Sequence, residues 1–215
     1  MRIAVLGTGD VGRTIASRLI ELGHEVRMGA RAAGNEHAAA WAREAGARAG
    51  HGTFARAAAH GEVVVNCTAG SASLEALAAA GADGLAGKVL IDVANPLDFS
   101  QGGLRLLVCN DDSLGERIQA AVPAARVVKA LNTMTAAVMV DPAAVPGDHV
   151  AFICGDDDAA KTITTALLEE FGWPPARVVD LGGIAAARGM EMYLPLWLST
   201  MRALGTPRFN IALAR

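Results

Sequence analysis

Aromatic residues and cysteines are scarce in this sequence of 215 residues. Aromatic side chains make up 4% of the chain, and the three cysteines are Cys67, Cys109 and Cys154. They form no CxxC pair, and the five histidines have none of the spacings of metal ligands. We therefore expect reduced, buried thiols and no metal site, so the disulfide-rich and zinc-binding classes of protein do not fit.

Long apolar runs and an excess of basic charge are missing too. The most apolar late stretch, residues 190–198, is too short to cross a bilayer and contains Glu191 and Pro195. The net charge of −3 provides no basic face for nucleic acid. The sequence opens on an apolar strand pattern with no leader-like segment, so we expect a cytoplasmic protein with neither a membrane nor a nucleic acid as partner.

The motifs of several enzyme classes are also missing. The sequence has no GxSxG, no Ser-His-Asp order and no Walker lysine, so hydrolases and phosphotransferases find no support. The Tyr-x-x-x-Lys pair of short-chain dehydrogenases is missing as well, because the single tyrosine, Tyr193, is followed by Leu-Pro-Leu-Trp.

The sequence does contain an alternation of short apolar runs with longer helical patterns. Hydrophobic residues make up 52% of the chain and charged residues 19%, a composition that favours a large buried core. The runs at residues 4–6 and 63–65 are continuously apolar, as expected of strands covered by helices on both faces. This alternation predicts an α/β fold with a doubly wound, mainly parallel sheet.

Two prolines and a glycine interrupt regular structure between residues 141 and 147. We therefore predict a first domain over residues 1–140 and a small C-terminal α/β lobe over residues 141–215 that completes a substrate cleft. The alternative, in which the last two predicted strands extend the first sheet, stays open. A single long helix is predicted over residues 184–204.

A GxGxxG loop follows the first predicted strand and opens an amphipathic helix, which is the context of a dinucleotide-binding Rossmann fold. The residues predicted to bind the cofactor in this loop are Gly7, Thr8, Gly9, Asp10, Val11 and Gly12. Gly7 permits the tight turn, Gly9 lets the backbone approach a pyrophosphate, and Gly12 lets the helix pack close to the strand. Asp10 is expected to point away and cap the helix. The alternative is a strand-turn-helix unit without a ligand.

The second predicted strand ends without a carboxylate. An NAD site usually has an Asp or Glu at this position to bind the ribose hydroxyls. Here Ala30 leaves space and Arg31 supplies a guanidinium that can pair with a 2′-phosphate. We therefore predict NADP(H) rather than NAD as the cofactor. The alternative is that Arg31 is a solvated residue at a helix start.

Three later strand ends carry small or polar residues, at the sheet edge where open parallel sheets bind ligands. Thr68 and Ala69 are predicted to line the middle of the cofactor. The residues predicted to surround the nicotinamide are Asn95, Pro96, Asn132 and Met134. The alternative for each is ordinary turn and cap chemistry. Lys129, inside the sixth predicted strand, is either a proton donor or a charge paired at the sheet edge.

Several segments together resemble the coenzyme F420-dependent NADP oxidoreductase family along nearly the whole chain. They are IAVLGTGDVG with MGAR, IDVANPLDF, VVKALNTM, FICGDDDAAK and LPLWLSTMRALGTPRFNIAL. The first segment is common to many dinucleotide folds, whereas the later ones in this order are more specific. The reductase domain of membrane ferric reductases is similar too, so fold does not settle the substrate.

The resemblance implies a Rossmann domain, a small C-terminal lobe and a cleft in which a deazaflavin, coenzyme F420, lies against the nicotinamide. It maps Thr8, Arg31, Asn132 and Met134 to cofactor or cleft positions. Archaeal-like members have His in place of Asn132 and Ser in place of Ala30. The implied mechanism is direct hydride transfer to a small-molecule electron acceptor, which needs positioning rather than an acid or base, so no acid-base residue is assigned.

The apolar C-terminal helix is predicted either to close the cleft or to serve as a core or dimer helix, and a homodimer is expected. The other arginines that could meet an anionic acceptor tail are Arg188, Arg202 and Arg208. Two further functions stay open: an NADPH-dependent reductase of a flavin, ferric chelate or small carbonyl, and an NADP(H)-binding sensor without turnover.

Overall fold

The structure is a computed structural model that describes residues 1–214. Its strands are β1 Arg2–Leu6, β2 Glu25–Ala30, β3 Ala49–Thr53, β4 Val63–Asn66, β5 Val89–Asp92, β6 Leu97–Asp98, β7 Arg105–Leu106, β8 Arg126–Ala130, β9 Ala151–Cys154 and β10 Val178–Asp180. Its helices are α1 Asp10–Glu21, α2 Glu36–Ala45, α3 Phe54–His60, α4 Gly70–Ala80, α5 Ala82–Leu85, α6 Leu114–Ala121, α7 Ala136–Val140, α8 Asp158–Glu170, α9 Ala187–Met192 and α10 Leu194–Leu204.

Eight strands form one sheet in the order β10-β9-β8-β5-β4-β1-β2-β3. The described neighbours are parallel except β8 and β9, which are antiparallel. All four residues of β4 and of β5 are buried, because helices cover both faces of the sheet. The predicted α/β fold with a mainly parallel, doubly wound sheet is confirmed.

Two apolar cores lie on opposite faces of the sheet, as the two-residue period of a strand requires. In β1, Ile3 and Val5 pack into the core that also contains Ile15 of α1. The intervening residues Ala4 and Leu6 pack into the second core, with Leu77 of α4 among its members. The first strand is therefore held from both sides, and its carboxyl end presents the glycine loop at a rigid edge.

The strands of the predicted C-terminal lobe do not form a sheet of their own. β9 pairs with β8 and β10 pairs with β9, so both extend the main sheet. Of the two alternatives, the one in which the late strands continue the first sheet is what the structure shows. A domain boundary at residue 141 stays a prediction.

The C-terminal helix is divided, in contrast to the single helix predicted over residues 184–204. A 3₁₀ turn at Ile184–Ala186 leads into α9, and α10 starts afresh at Leu194. Pro195 lies in the first turn of α10, where its missing N–H is tolerated but would break a continuous helix. None of the helices within residues 1–214 is long and apolar enough to span a membrane.

Candidate functional site

The glycine loop after β1 has the geometry of a close backbone approach. Gly7 has φ +117°, and a Cβ there would lie 2.6 Å from the carbonyl oxygen of Cys67. A Cβ on Gly12 would lie 2.3 Å from the carbonyl oxygen of Gly7, so α1 packs directly on the strand end. Gly9, by contrast, faces open space, with no heavy atom within 4 Å of a built Cβ. This open face is where a bulky anion can approach the backbone.

Two helices begin at this loop and its neighbour without a side-chain cap. The N-cap residues are Gly9 for α1 and Ala69 for α4, and neither offers a side-chain acceptor. Four other helices are capped by a side chain, at Asn35, Thr53, Ser113 and Asp157, whereas α5, α7, α9 and α10 also lack such a cap. The first-turn N–H groups of α1 and α4 are therefore available to a ligand, and both helix dipoles favour an anion there.

Two cavities flank the glycine loop at the carboxyl edge of the sheet. The first, which we call the β2-side cavity, has a volume of about 320 Å³. The second, the β8-side cavity, has a volume of about 510 Å³. Both are lined by Cys67, Thr68 and Ala69, so they share one wall. An elongated ligand can therefore cross from one cavity to the other beside the two uncapped helix starts.

Most of the predicted site residues line one of these two cavities. The β2-side cavity contains Gly7, Thr8, Gly9, Ala30, Arg31, Thr68 and Ala69. The β8-side cavity contains Asp10, Val11, Thr68, Ala69, Asn95, Asn132 and Met134. The two exceptions are Gly12, buried under the loop, and Pro96, whose Cα a Cβ on Gly70 would meet at 2.9 Å. The roles of all these residues as direct ligands stay predictions.

Asp10 does not cap the helix, in contrast to the prediction. Its side chain is 90% exposed and forms an ion pair with Arg13, one turn later. Arg13 also donates a hydrogen bond to the carbonyl oxygen of Thr8, at 2.9 Å. The aspartate is thus partnered by a guanidinium at the cavity mouth, which reduces the repulsion that its charge would exert on a phosphate.

Arg31 lies across the β2-side cavity from a carboxylate that sequence reasoning missed. Its Nε is 3.8 Å from Oε1 of Glu75 on α4, and both side chains are about three-quarters exposed. An exposed pair at this distance is weak, so the guanidinium can exchange this partner for a phosphate. Nothing in the helical pattern around Glu75 distinguished it from a solvated surface residue.

A buried hydrogen-bond network lies beneath the shared wall. The Thr68 hydroxyl donates to Oδ1 of Asn66 at 2.7 Å, and Nδ2 of Asn66 donates to Oδ1 of Asp92 at 2.8 Å. Asn66 and Asp92 are both completely buried. Because buried polar groups of this kind are costly to leave unpaired, the network holds the Thr68 loop in one arrangement.

Lys129 sits in the same buried network, between two carboxylates. Its Nζ is 2.7 Å from Oδ2 of Asp92 and 2.8 Å from Oε1 of Glu191. Burial by itself would lower the pKa of Lys129, but the two adjacent carboxylates outweigh it and the pKa is raised. Lys129 therefore keeps its proton and lines neither cavity, so a role as proton donor finds no support. The charge is paired, as the alternative predicted, but in the sheet interior rather than at its edge.

Asn132 and Asn95 hold each other in place at the β8-side cavity. Nδ2 of Asn95 donates to the carbonyl oxygen of Asn132, and Nδ2 of Asn132 donates to Oδ1 of Asn95, each at 2.8 Å. Nδ2 of Asn132 also donates to the carbonyl oxygen of Met190, at 3.1 Å. These acceptors fix the amide orientation and leave Oδ1 of Asn132 buried without a partner in the described structure. A ligand N–H group would satisfy it.

Other cavity residues were not predicted as site residues. The β2-side cavity also contains Asn35 and Phe54, and the β8-side cavity also contains Phe99, Met139, Leu194 and Trp197. Leu194 and Trp197 belong to the apolar helix for which closing the cleft was one of the two predicted roles, so a signal for them was present. The arginines proposed for an acceptor tail line neither cavity, and Arg188 instead pairs with Glu116 at 2.6 Å.

Comparison with known proteins identifies the family. A sequence profile described as "NADP oxidoreductase coenzyme F420-dependent" matches residues 2–96. The chain is 32% identical to the F420-dependent NADP reductase of Methanothermobacter marburgensis over 209 residues, covering 93% of this chain and 92% of that protein. The chain belongs to this family. Membership makes it an NADP-dependent oxidoreductase with NADP(H) as its cofactor.

The chain is also similar to two further proteins. A crystal structure from Arthrobacter sp. FB24, described as a candidate F420-dependent NADP reductase, is 50% identical, with a TM-score of 0.95 and complete coverage of both chains. The metalloreductase STEAP3 of Rattus norvegicus is 31% identical over 210 residues, which cover 95% of this chain. The chain spans only 39% of that longer protein, so the likeness concerns one portion of it.

Proposed function

We propose that this protein transfers a hydride between NADP(H) and coenzyme F420, a deazaflavin. The observation that carries the proposal is the pair of cavities joined at Cys67, Thr68 and Ala69 beside two uncapped helix starts. One cavity suits a phosphorylated nucleoside and the other suits two stacked rings. The family relationship supports F420 as the second ring.

The residues of the β2-side cavity fit the phosphorylated half of the cofactor. The N–H groups at the starts of α1 and α4 would bind the pyrophosphate, and the open face of Gly9 leaves room for it. Arg31 would pair with the 2′-phosphate through charged hydrogen bonds, displacing Glu75. Ala30, with a small side chain, leaves this end of β2 open.

The residues of the β8-side cavity fit the nicotinamide and the acceptor. Oδ1 of Asn132 would accept a hydrogen bond from the carboxamide N–H, which satisfies its unpartnered oxygen. Bound NADPH supplies the hydride. Met134 and Met139 contribute buried apolar walls that exclude water, and Leu194 and Trp197 of α10 also line this cavity. The protein acts by positioning, since hydride transfer requires the reacting atoms to approach within about 3–3.5 Å.

A second candidate acceptor is a ferric chelate or a flavin. The likeness to the metalloreductase STEAP3 over 95% of this chain favours this second acceptor as an alternative to F420. The same two cavities would serve, because the cofactor half would be unchanged and only the second ring would differ. The β8-side cavity is wide enough at about 510 Å³ to hold more than a nicotinamide ring.

The test is turnover of the purified protein with NADPH and each acceptor separately. If NADPH is oxidised when F420 is offered, and not when the other acceptors are offered, the proposal is supported. Oxidation with FMN or a ferric chelate, but not with F420, supports the second candidate. Tight NADPH binding without turnover on any acceptor contradicts both and indicates a sensor.

We also propose a homodimer formed through α10. Leu196 and Leu204 of this helix are 62% and 57% exposed, although both are apolar. Light scattering measures the mass directly, and Leu196→Glu would introduce a charge at this face. A dimer that becomes a monomer in the variant supports the proposal, and a wild-type monomer contradicts it.

A further inference from the structure

A continuous chain of buried polar contacts connects the shared cavity wall to the C-terminal helices. It runs from Thr68 through Asn66 and Asp92 to Lys129, and from Lys129 to Glu191 of α9. Asn66, Asp92 and Lys129 have no exposed surface, and Glu191 is 1% exposed. The chain therefore passes under the strand ends β4, β5 and β8, all of which border the β8-side cavity.

Glu191 has a donor on each carboxylate oxygen. Oε2 accepts from the backbone N–H of Leu114 at 2.8 Å, and Oε1 accepts from the backbone N–H of Gly115 at 3.0 Å. Oε1 is also 2.8 Å from Nζ of Lys129. These N–H groups belong to the first turn of α6, whose dipole favours a negative charge. An amide in place of the carboxylate would bring an NH₂ group against one of these donors.

A second attachment lies one residue earlier on the same helix. The carbonyl oxygen of Met190 accepts a hydrogen bond from Nδ2 of Asn132, at 3.1 Å. Two consecutive residues of α9 are thus held from β8: Met190 by Asn132, in the loop after β8, and Glu191 by Lys129, within β8. α10 begins at Leu194, three residues after Glu191, and Leu194 and Trp197 line the β8-side cavity.

We propose that Glu191 is a positioning residue that sets the α10 wall of the cavity at a defined distance from the nicotinamide side. The inference rests on the proposed function, which assigns this wall to the acceptor. Buried charge clusters are expensive, and apolar residues of similar volume often give equal or greater stability. The charges specify one arrangement of α9 against β8. With an apolar contact in their place, α9 would be free to slide along β8.

The test compares Glu191→Gln with the matched control Glu116→Gln. Glu116 also joins α6 to α9, through its bidentate pair with Arg188, but it lies outside the buried chain and lines neither cavity. We expect Glu191→Gln to raise the KM for the acceptor, or to lower kcat, by about tenfold, because small misplacements of reacting groups are costly. We expect the NADPH dissociation constant to stay within about twofold of the wild type. Glu116→Gln should leave both quantities unchanged.

Hydrogen exchange provides a readout that does not depend on turnover. We expect faster amide exchange in residues 187–204 of Glu191→Gln, and wild-type exchange there in Glu116→Gln. Glu191→Asp keeps the charge but shortens the side chain, so it should fold and show a smaller effect in the same direction. It keeps the inference testable if Glu191→Gln does not fold.

Equal losses of NADPH affinity and acceptor turnover in the Glu191 variants would overturn the inference, since they would indicate general damage. Equal effects of the Glu191 and Glu116 variants would overturn it as well, since any link between α6 and α9 would then suffice. The proposed function is tested separately, by wild-type turnover with F420. If another acceptor is used, the same comparison of variants is made with that acceptor.

Discussion

At the residue scale, Oδ1 of Asn132 is the clearest sign of a ligand site, because it is a buried acceptor without a hydrogen-bond partner in the described structure. We predict that Asn132→Leu weakens NADPH binding by about tenfold, the effect expected when one buried hydrogen bond to a ligand is lost. Binding of 2′,5′-ADP, which has no nicotinamide, should be unchanged. Calorimetric titration with both ligands measures the difference, and Thr133→Val, a buried neighbour that lines neither cavity, is the control.

If Asn132→Leu weakened both ligands equally, the amide would have no specific part in binding the nicotinamide end. The damage would then be attributed to the lost contacts with Asn95 and the carbonyl oxygen of Met190.

We propose that the guanidinium of Arg31 sets the preference for NADP(H) over NAD(H). We predict that Arg31→Ala lowers NADPH affinity by about tenfold or more, because a charged hydrogen bond to the 2′-phosphate is lost, and leaves NADH affinity unchanged. Fluorescence titration with both nucleotides checks it. Arg43→Ala, an exposed arginine of α2 outside the cavity, is the matched control. Unchanged NADPH affinity in Arg31→Ala would contradict the assignment.

If Arg31 binds the 2′-phosphate as proposed, Glu75 competes with that phosphate for the guanidinium. We predict that Glu75→Gln raises NADPH affinity severalfold, because a carboxylate 3.8 Å from Arg31 no longer has to be displaced and no longer repels the 2′-phosphate. The gain should shrink as salt is added. A fall in affinity, or a gain that is the same for NADH, would show that Glu75 contacts the cofactor in another way.

At the element scale, two glycines of the glycine loop are expected to affect different properties, Gly9 the binding of NADPH and Gly12 the stability of the fold. We predict that Gly9→Ala keeps the thermal stability, since the new Cβ faces open space, but weakens NADPH binding by about tenfold or more by blocking the approach of the pyrophosphate. Gly12→Ala should instead destabilise the fold, because its Cβ would lie 2.3 Å from the carbonyl oxygen of Gly7. Melting curves and NADPH titration of both variants check the contrast.

The opposite pattern would remove the loop from the binding site. A Gly9→Ala protein with wild-type NADPH affinity would mean that no phosphate comes close to this part of the backbone.

The sequence predicted the elements whose patterns are local. The glycine loop and the continuously apolar strands β1 and β4 were predicted because their signals lie within a few consecutive residues. The five-residue helix α7 and the two-residue strands β6 and β7 are too short for a periodic pattern. The break at Tyr193 was missed, although Pro195 was visible, because apolar residues continue on both sides of it.

Only those site residues that lie at the ends of predicted strands could be predicted from the sequence. Asn95 and Asn132 lie in the loops that follow β5 and β8 and were predicted as site residues. Glu191 lies about sixty residues from Lys129 along the chain, and a buried carboxylate cannot be distinguished by sequence from one on a solvated helix. The contact depends on how α9 packs against α6, which only the tertiary structure shows.

At the scale of the whole molecule, ion pairs make stability depend on pH. The hydrogen bond from Arg188, followed by that from Ser113, outweighs partial burial and lowers the pKa of Glu116 below 4.5. A lowered carboxyl pKa contributes stability that is present above its unfolded value and lost as pH falls through its folded value. We therefore predict that stability falls on acidification below pH 4.5, and falls less steeply in Glu116→Gln. Urea unfolding across this range measures both slopes, and identical slopes would contradict the prediction.

The fold brings the glycine loop, Arg31 and the two cavities to the carboxyl edge of a single sheet. A crystal structure with NADPH bound tests this arrangement most directly. We predict the pyrophosphate against the N–H groups at the start of α1, the 2′-phosphate on Arg31 and the carboxamide on Oδ1 of Asn132. A nucleotide bound away from the glycine loop, or a nicotinamide outside the β8-side cavity, would contradict the account.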